Sequence, residues 1–364
     1  MKTVFLTNSP APYRELVHQK VAERFGDDYM VYYCAEGDDL RVWEFNRGDY
    51  KSIYLKARFI SLHKRSTVVY LSSDITKYLR KHNPDIIIIT GFSLPMVIAY
   101  AWAWAKGKKI IAFSDSTLDS ESGLTSIHRL VRWVAYRSCD AFIGVGDKTH
   151  NLFKHYAGND LKLFKSYLCA NNKLFEGKCK GFSEREFDII LCGRMIELKM
   201  FDFSIKVIHE VSKRRKIKVN IVGDGPDRDR ILNLLDSYDI EYKFSGFLSQ
   251  ESLPDEYTNS RIFLFPSKRD AWGVVANEAL VAGTPVITCP AVGAADELVI
   301  TGENGYVLEL DTQLWVEHIL GLLEDSDLWG RLSVKGRHIV SDYTYDNAGQ
   351  GIIDAIEHVG ETNE

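Results

Sequence analysis

The chain has 364 residues, 26% charged and 45% hydrophobic, with a mean hydropathy of −0.16. That composition excludes a disordered chain, a collagen-like repeat and a disulfide mini-scaffold, and the length suffices for two hydrophobic cores. The net charge of −5 hides an asymmetry: residues 1–180 carry 27 Lys and Arg against 18 Asp and Glu, and 181–364 carry 18 against 32, so two domains with different partners are expected, the basic one suited to an anionic membrane, nucleic acid or a phosphorylated substrate.

In chain order, Thr3–Thr7 reads as a strand, Arg14–Phe25 as a helix, Met30–Cys34 as a strand and Ser66–His82 as a helix. Residues 86–105 are free of charge over the length of a membrane span, but Gly91, Ser93 and Pro95 interrupt them. The isoleucine run Ile86–Thr90, after Asn83-Pro84-Asp85, therefore predicts a strand buried on both faces, followed by a helix from near Pro95. Lys109–Phe113 is a strand, Thr125–Ser138 a helix and Ala141–Val145 a strand. The polar stretch Asn171–Glu186 breaks the pattern. Beyond it come strands Asp188–Cys192, Lys218–Val222, Tyr242–Ser245, Ile262–Pro266 and Pro285–Thr288, with helices at Phe203–Arg214 and Arg228–Tyr238. This alternation predicts two α/β, Rossmann-like domains with parallel sheets of five strands each. The expected division is 1–178, 179–344 and a C-terminal helix, 345–364, crossing back to the first domain.

Six cysteines (Cys34, Cys139, Cys169, Cys179, Cys192, Cys289) form no C-x-x-C pair. They read as thiols in a reducing compartment, not as zinc or redox ligands. The apolar run before Asn8 and Pro10 is too short for a signal peptide, so a cytoplasmic protein is expected.

In open parallel sheets, ligands bind beyond the carboxyl ends of the strands. Asp188–Cys192 runs into Gly193-Arg194-Met195-Ile196-Glu197-Leu198-Lys199. A turning glycine followed by two cations suits a diphosphate clamp, Arg194 forking onto two oxygens and Lys199 acting as a point charge; the alternative is two solvated surface charges. Gly223-Asp224-Gly225-Pro226 begins a dinucleotide fingerprint without its third glycine, so a structural turn stands against a phosphate cradle. The densest constellation runs from Phe265 to Val286. Here Asp270 lies in a loop, and Gly273, Val274 and Val275 open a helix whose free N–H groups form an anion site. Glu278, about a turn further in, can accept hydrogen bonds from two vicinal ribose hydroxyls, and Asp270 can face the other end of the ligand.

The run D-A-W-G-V-V-A-N-E-A-L-V-A-G-T-P-V resembles the E-x7-E signature of retaining nucleotide-sugar glycosyltransferases of family 4, which have the GT-B fold. G-R-M-I-E-L-K, I-V-G-D-G-P, F-S-G-F-L-S-Q-E-S-L-P-D-E-Y and G-E-N-G-Y-V-L extend the resemblance across the second domain, and N-S-P-A-P-Y-R and D-A-F-I-G-V-G carry it more loosely into the first. The resemblance implies two Rossmann-like domains facing an interdomain cleft. It places Glu278 on the donor ribose, Arg194 and Lys199 on the diphosphate and Asp270 on the transferred sugar, with Gly193, Phe247 and Leu248 also at the donor. Two departures stand out. Asp270 is one methylene shorter than the usual Glu, and where the family often has a histidine in the first domain, this chain offers Ser114 and Asp115. His128 sits in a helical segment and reads as structural.

In the first domain, Pro12, Tyr13 and Arg14 follow the first strand on a proline-stiffened loop. With Asp115 they are candidates for the acceptor side or a phosphate contact, a structural role being the alternative for the loop. Lys56, Arg58, His63, Lys64 and Arg65, with Arg129, Arg132 and Arg137, are either a solubilising face or, as the resemblance implies, a peripheral contact with an anionic membrane. The implied activity is retaining transfer of a sugar from a nucleotide-diphospho-sugar to a glycan or lipid-linked acceptor in cell-surface polysaccharide or glycoconjugate synthesis. No metal, no other cofactor and no nucleic-acid partner are expected. The rival expectations are an inactive sugar-nucleotide-binding subunit and an epimerase or phosphorylase of the same fold.

Overall fold

Ile86, Ile87, Ile88 and Ile89 are all fully buried at the middle of a parallel sheet, the environment such a β-branched run needs. The computed structural model describes residues 1–36, 48–56, 58–62, 67–72 and 74–361. It divides into two units, one formed by Met1–Leu168 with the segment from Tyr345 onward, the other by Cys169–Thr344.

The first unit contains β1 (Thr3–Thr7), α1 (Pro12–Phe25), β2 (Tyr29–Tyr33), β3 (Ser52–Tyr54), β4 (Arg58–Leu62), β5 (Thr67–Leu71), α2 (Ile75–His82), β6 (Ile86–Ile89), α3 (Leu94–Ala105), β7 (Lys109–Ser114), α4 (Ser126–Arg137), β8 (Ala141–Gly144), α5 (Asp147–Ala157) and β9 (Leu163–Lys165). Among the described residues its main sheet has the order β3-β2-β1-β6-β7-β8-β9, with parallel pairings. The helix expected over Ser66–His82 begins only at Ile75. Thr67-Val68-Val69-Tyr70-Leu71, β-branched and aromatic, pairs antiparallel with β4 instead. The charge-free stretch 86–105 is divided between β6 and α3, and no helix among the described residues is long and apolar enough to cross a membrane.

The second unit contains β10 (Phe187–Cys192), α6 (Phe201–Ser212), β11 (Lys218–Val222), α7 (Arg228–Ser237), β12 (Glu241–Gly246), α8 (Leu253–Thr258), β13 (Ser260–Phe265), α9 (Val274–Val281), β14 (Val286–Thr288), β15 (Gly305–Val307), α10 (Thr312–Glu324) and α11 (Ser326–Val340). Its strands, also parallel, run β12-β11-β10-β13-β14-β15. Both sheets thus exceed the five strands expected, because short segments such as Leu163–Lys165 and Gly305–Val307 pair at an edge. In each sheet the winding reverses beside its first strand, between β1 and β6 and between β10 and β13. Loops leaving such adjacent strands diverge and leave room for a ligand.

Cys169 Sγ reaches Thr344 O at 3.3 Å and Asn172 Nδ2 donates to Tyr343 O at 3.3 Å. These bonds tie the segment after Leu168 to the second unit, so the structural division precedes the polar stretch instead of falling at residue 178. The chain then returns to the first unit as α12 (Tyr345–Glu361), whose buried Ala348, Ile352, Ile356 and Val359 face α1 and β9. A Cβ on Gly351 would lie 1.7 Å from Lys165 O, so only glycine permits this approach.

Arg185 organises the second unit. It is 1% exposed, and its guanidinium donates to Tyr257 O (3.3 Å), Ser260 O (2.6 Å), Thr284 Oγ1 (2.7 Å), Ala282 O (2.8 Å), Gly283 O (3.2 Å) and, through Nε, Lys180 O (3.1 Å). The Trp329 ring lies 4.6 Å from its Cζ. Every donor direction is used, which makes so buried a charge tolerable. Arg185→Met keeps the bulk and strands several carbonyls. It should destabilise the protein by roughly 3–5 kcal/mol, read by chemical denaturation.

Candidate donor site

The loops after β10 and β13 leave the carboxyl ends of neighbouring parallel strands and are joined to each other. Lys268 N donates to Leu198 O at 2.9 Å and Ser267 Oγ to the same carbonyl at 3.0 Å. Lys268 also pairs with Glu197, and Lys199 Nζ donates to Asp270 Oδ2. The two residues assigned separately to diphosphate and sugar are therefore in direct contact. Arg194 is exposed, and its side chain makes no hydrogen bond or ion pair among the described residues.

Gly193 (φ 151°) turns the chain out of β10, with Gly193 N donating to Val222 O at 3.0 Å. The glycines of Gly223-Asp224-Gly225 serve this turn. A Cβ on Gly223 would lie 2.0 Å from Gly193 O, and one on Gly225 2.4 Å from Met195 O. Gly223 N is bonded to Gly246 O and Gly225 N to Asp224 Oδ1, so neither is left for a phosphate. The structural turn prevails over the phosphate cradle.

Gly273 caps α9 with φ 94°, and a Cβ there would meet the Phe265 ring at 2.4 Å. Val274 and Val275, half-buried, are the first two residues of α9 and have no helical carbonyl a turn earlier to accept their N–H groups. The Trp272 side chain, inside the unit, fixes this helix start by donating Nε1–H to Asn277 Oδ1 at 3.0 Å. Glu278, one turn in, is 8% exposed and accepts from Tyr257 Oη at 3.0 Å. Burial pushes its carboxyl up to about 7, against the Tyr257 bond, which favours the ionised form. Phe247, exposed, and Leu248, half-buried, follow β12, two strands away from β10 in the sheet.

Sequence reasoning missed Tyr257 and Asn277 as supports, although Tyr257 closes the L-P-D-E-Y motif; no local signal links it to Glu278, because the bond spans α8 and α9.

In the first unit, Pro12 and Tyr13 are half-buried at the start of α1 and Asp115 is exposed beyond β7. Arg14 is buried, which favours the structural alternative for its loop over a phosphate or acceptor contact. It donates to Ser166 Oγ (2.9 Å), Ser166 O (3.2 Å) and Tyr167 O (3.3 Å), and its Cζ lies 4.6 Å from the Phe113 ring centroid. That set of partners makes it a staple between α1 and the segment after β9. Ser114 Oγ accepts from Ser116 N, and His128 bonds its N-cap Thr125, both local structural roles. Lys56 is exposed and Arg58 lies on β4, whereas His63, Lys64 and Arg65 fall outside the described residues.

Residues 175–339 match the family described as Glycosyl transferases group 1. That match falls within the second unit, Cys169–Thr344. The chain is 30% identical over 188 residues to the capsular polysaccharide biosynthesis glycosyltransferase CapM of Staphylococcus aureus, covering 49% of this chain and 47% of that protein. It is 27% identical over 161 residues to the N-acetyl-alpha-D-glucosaminyl L-malate synthase of Bacillus anthracis, covering 44% and 42%. The chain spans about half the length of the relatives it matches. The structure of Anabaena Alr3699/HepE in complex with UDP and glucose superimposes with a TM-score of 0.75 at 18% identity, covering 98% of this chain and 99% of that one. The fold is GT-B.

Because the value for Glu278 lies above the ordinary 4.5, the protonated carboxyl stabilises the fold fully below about pH 4.5, and this contribution is lost as pH rises through about 7. Glu278→Gln, which cannot ionise, should therefore melt above the native protein at pH 8 and lose that advantage at pH 5. Thermal melts across the interval measure the difference.

Proposed function

We propose that the chain is a retaining glycosyltransferase that moves a sugar from a nucleotide-diphospho-sugar to a glycan or lipid-linked acceptor. The observation that carries this reading is the Lys199–Asp270 contact, which joins the loops leaving β10 and β13 at the switch point of a segment that matches the group 1 glycosyl transferases, with the start of α9 following on the second of these loops. Glu278 would take the ribose hydroxyls, Arg194, Lys199 and the N–H groups of Val274 and Val275 the diphosphate, and Asp270 the sugar. Negative charge develops on the diphosphate as the glycosidic bond breaks, and preorganised cations and N–H dipoles lower the barrier by stabilising it. Retention would follow from attack on the face that the diphosphate leaves, a phosphate oxygen taking the acceptor's proton. With cations in place for the leaving group, no metal is required for that electrostatic task. The Anabaena structure, a complex with UDP and glucose, supports a nucleoside diphosphate as donor half, and the CapM relative supports a role in cell-surface polysaccharide synthesis.

A peripheral, cytoplasmic-face membrane contact through the first unit fits this acceptor class. α4 exposes Ile127 (73%), Leu130 and Val134, α3 exposes Trp104 (76%), and neither 94–109 nor 124–138 contains a carboxylate. Apolar side chains amid cations suit the headgroup region of an anionic bilayer.

Incubation with UDP-, GDP-, ADP- and dTDP-sugars and a glycan and polyprenyl-phosphate-linked acceptor panel should release nucleoside diphosphate, undiminished in EDTA. Loss of turnover in chelator, restored by Mg²⁺, would refute the metal-free reading; epimerised nucleotide sugar without free diphosphate would refute transfer. Arg194→Ala should weaken nucleoside diphosphate binding by roughly 1.5–3 kcal/mol in calorimetry. Ile127→Asp with Val134→Asp should abolish co-sedimentation with phosphatidylglycerol vesicles, and persistence of binding would place the membrane contact elsewhere.

A further inference from the structure

We infer that Asp270 makes the site discriminate between its donor and its own spent product, disfavouring the bare nucleoside diphosphate left after transfer. This rests on the donor-site reading above. Lys199 and Asp270 are in contact in the free protein, with side chains only 24% and 14% exposed, so solvent screens the pair weakly. Lys268, the cation two residues earlier on the same loop, is paired with Glu197.

The Asp270 carboxylate is also held in place. Asp270 N donates to Ala291 O at 3.3 Å, Asp270 O accepts from Gly293 N at 2.9 Å, and Oδ1 accepts from Trp272 N at 3.3 Å. A Cβ on Gly293 would lie 1.9 Å from Ala271 O, so the two backbones are pressed together beside it. A phosphate that takes Lys199 therefore arrives next to a fixed carboxylate that has just lost its counter-ion.

The response of the carboxylate depends on the group that the phosphate carries. A sugar bonded to it brings hydroxyl groups that donate to Asp270, replacing the lost ammonium contact. A bare terminal phosphate brings more negative charge and no donor, so it faces the carboxylate directly and is repelled. Asp270 thus adds to the affinity of the intact donor and subtracts from that of the product, which speeds clearance of the site. The shorter aspartate keeps this carboxylate on Lys199, close to the phosphate position.

Asp270→Asn removes the charge and retains an acceptor for Trp272 N and for a hydroxyl. Calorimetry with UDP, GDP, ADP and dTDP, and with UDP-glucose, GDP-mannose, ADP-glucose and dTDP-glucose, on the native protein, Asp270→Asn, Asp270→Ser and Lys199→Ala tests the inference. The nucleoside diphosphate that binds the native protein should bind Asp270→Asn about tenfold tighter, while the matching nucleotide sugar gains nothing. Asp270→Ser, also able to accept from Trp272 N, should show the same direction if Asp270→Asn does not fold. Unchanged or weaker diphosphate binding in the folded variant, or equal tightening of diphosphate and nucleotide sugar, overturns the inference. If instead Lys199→Ala leaves diphosphate affinity intact, or none of the four binds the native protein, the donor-site reading fails and takes the inference with it.

Discussion

One buried guanidinium holds the second unit to its working shape. Arg185 binds the carbonyls of Ala282 and Gly283, just past the end of α9, together with Tyr257 O near the end of α8 and Ser260 O at the start of β13. A cation at a helix C-terminus complements the dipole and satisfies carbonyls that have no helical partner. The consequence is felt at the far end of the same short helix. With α9 anchored behind and Gly273 packed on Phe265 in front, the first-turn N–H groups cannot drift, and Glu278 stays against Tyr257. Precision at the site is thus set by a residue buried inside the unit.

The charges nearest the candidate ligand position are arranged as exchangeable pairs. Lys199 pairs with Asp270 and Lys268 with Glu197 in the free protein, whereas Arg194 faces solvent. On the reading proposed above, a diphosphate would meet exposed Arg194 and would have to compete with Asp270 for Lys199. Isolated cations packed together would repel one another and weaken the fold, so the acids let the site store positive charge without that penalty.

Much of this was legible in the sequence because the informative signals were local. Four isoleucines in a row, or a glycine after an apolar run and before a helix, report backbone and burial directly, and the placement of Arg194 and Asp270 in loops after strands and of Glu278 in the following helix came with them. Long-range pairing stayed hidden. Nothing near Lys199 reveals that Asp270, seventy-one residues on, will hold its ammonium, and Arg14 looked available because its partners at Ser166 and Tyr167 lie more than a hundred and fifty residues away. Thr67–Leu71 fits a helix pattern as well as a strand until its antiparallel partner is known. Gly223 and Gly225 misled in the opposite sense: their motif suggests a phosphate, but the close approach they permit is to another loop of the same protein.

The return of α12 to the first unit sets an order of assembly during synthesis. The second unit is continuous from Cys169 to Thr344 and can close once it has cleared the ribosome. The first unit, although made earlier, must wait for residues 345–361, because until then α1 and β9 lack the helix whose Ile352, Ile356 and Val359 complete their packing. The nascent chain therefore carries an incomplete apolar surface for the whole time that the second unit is being translated, and the unit begun first is finished last.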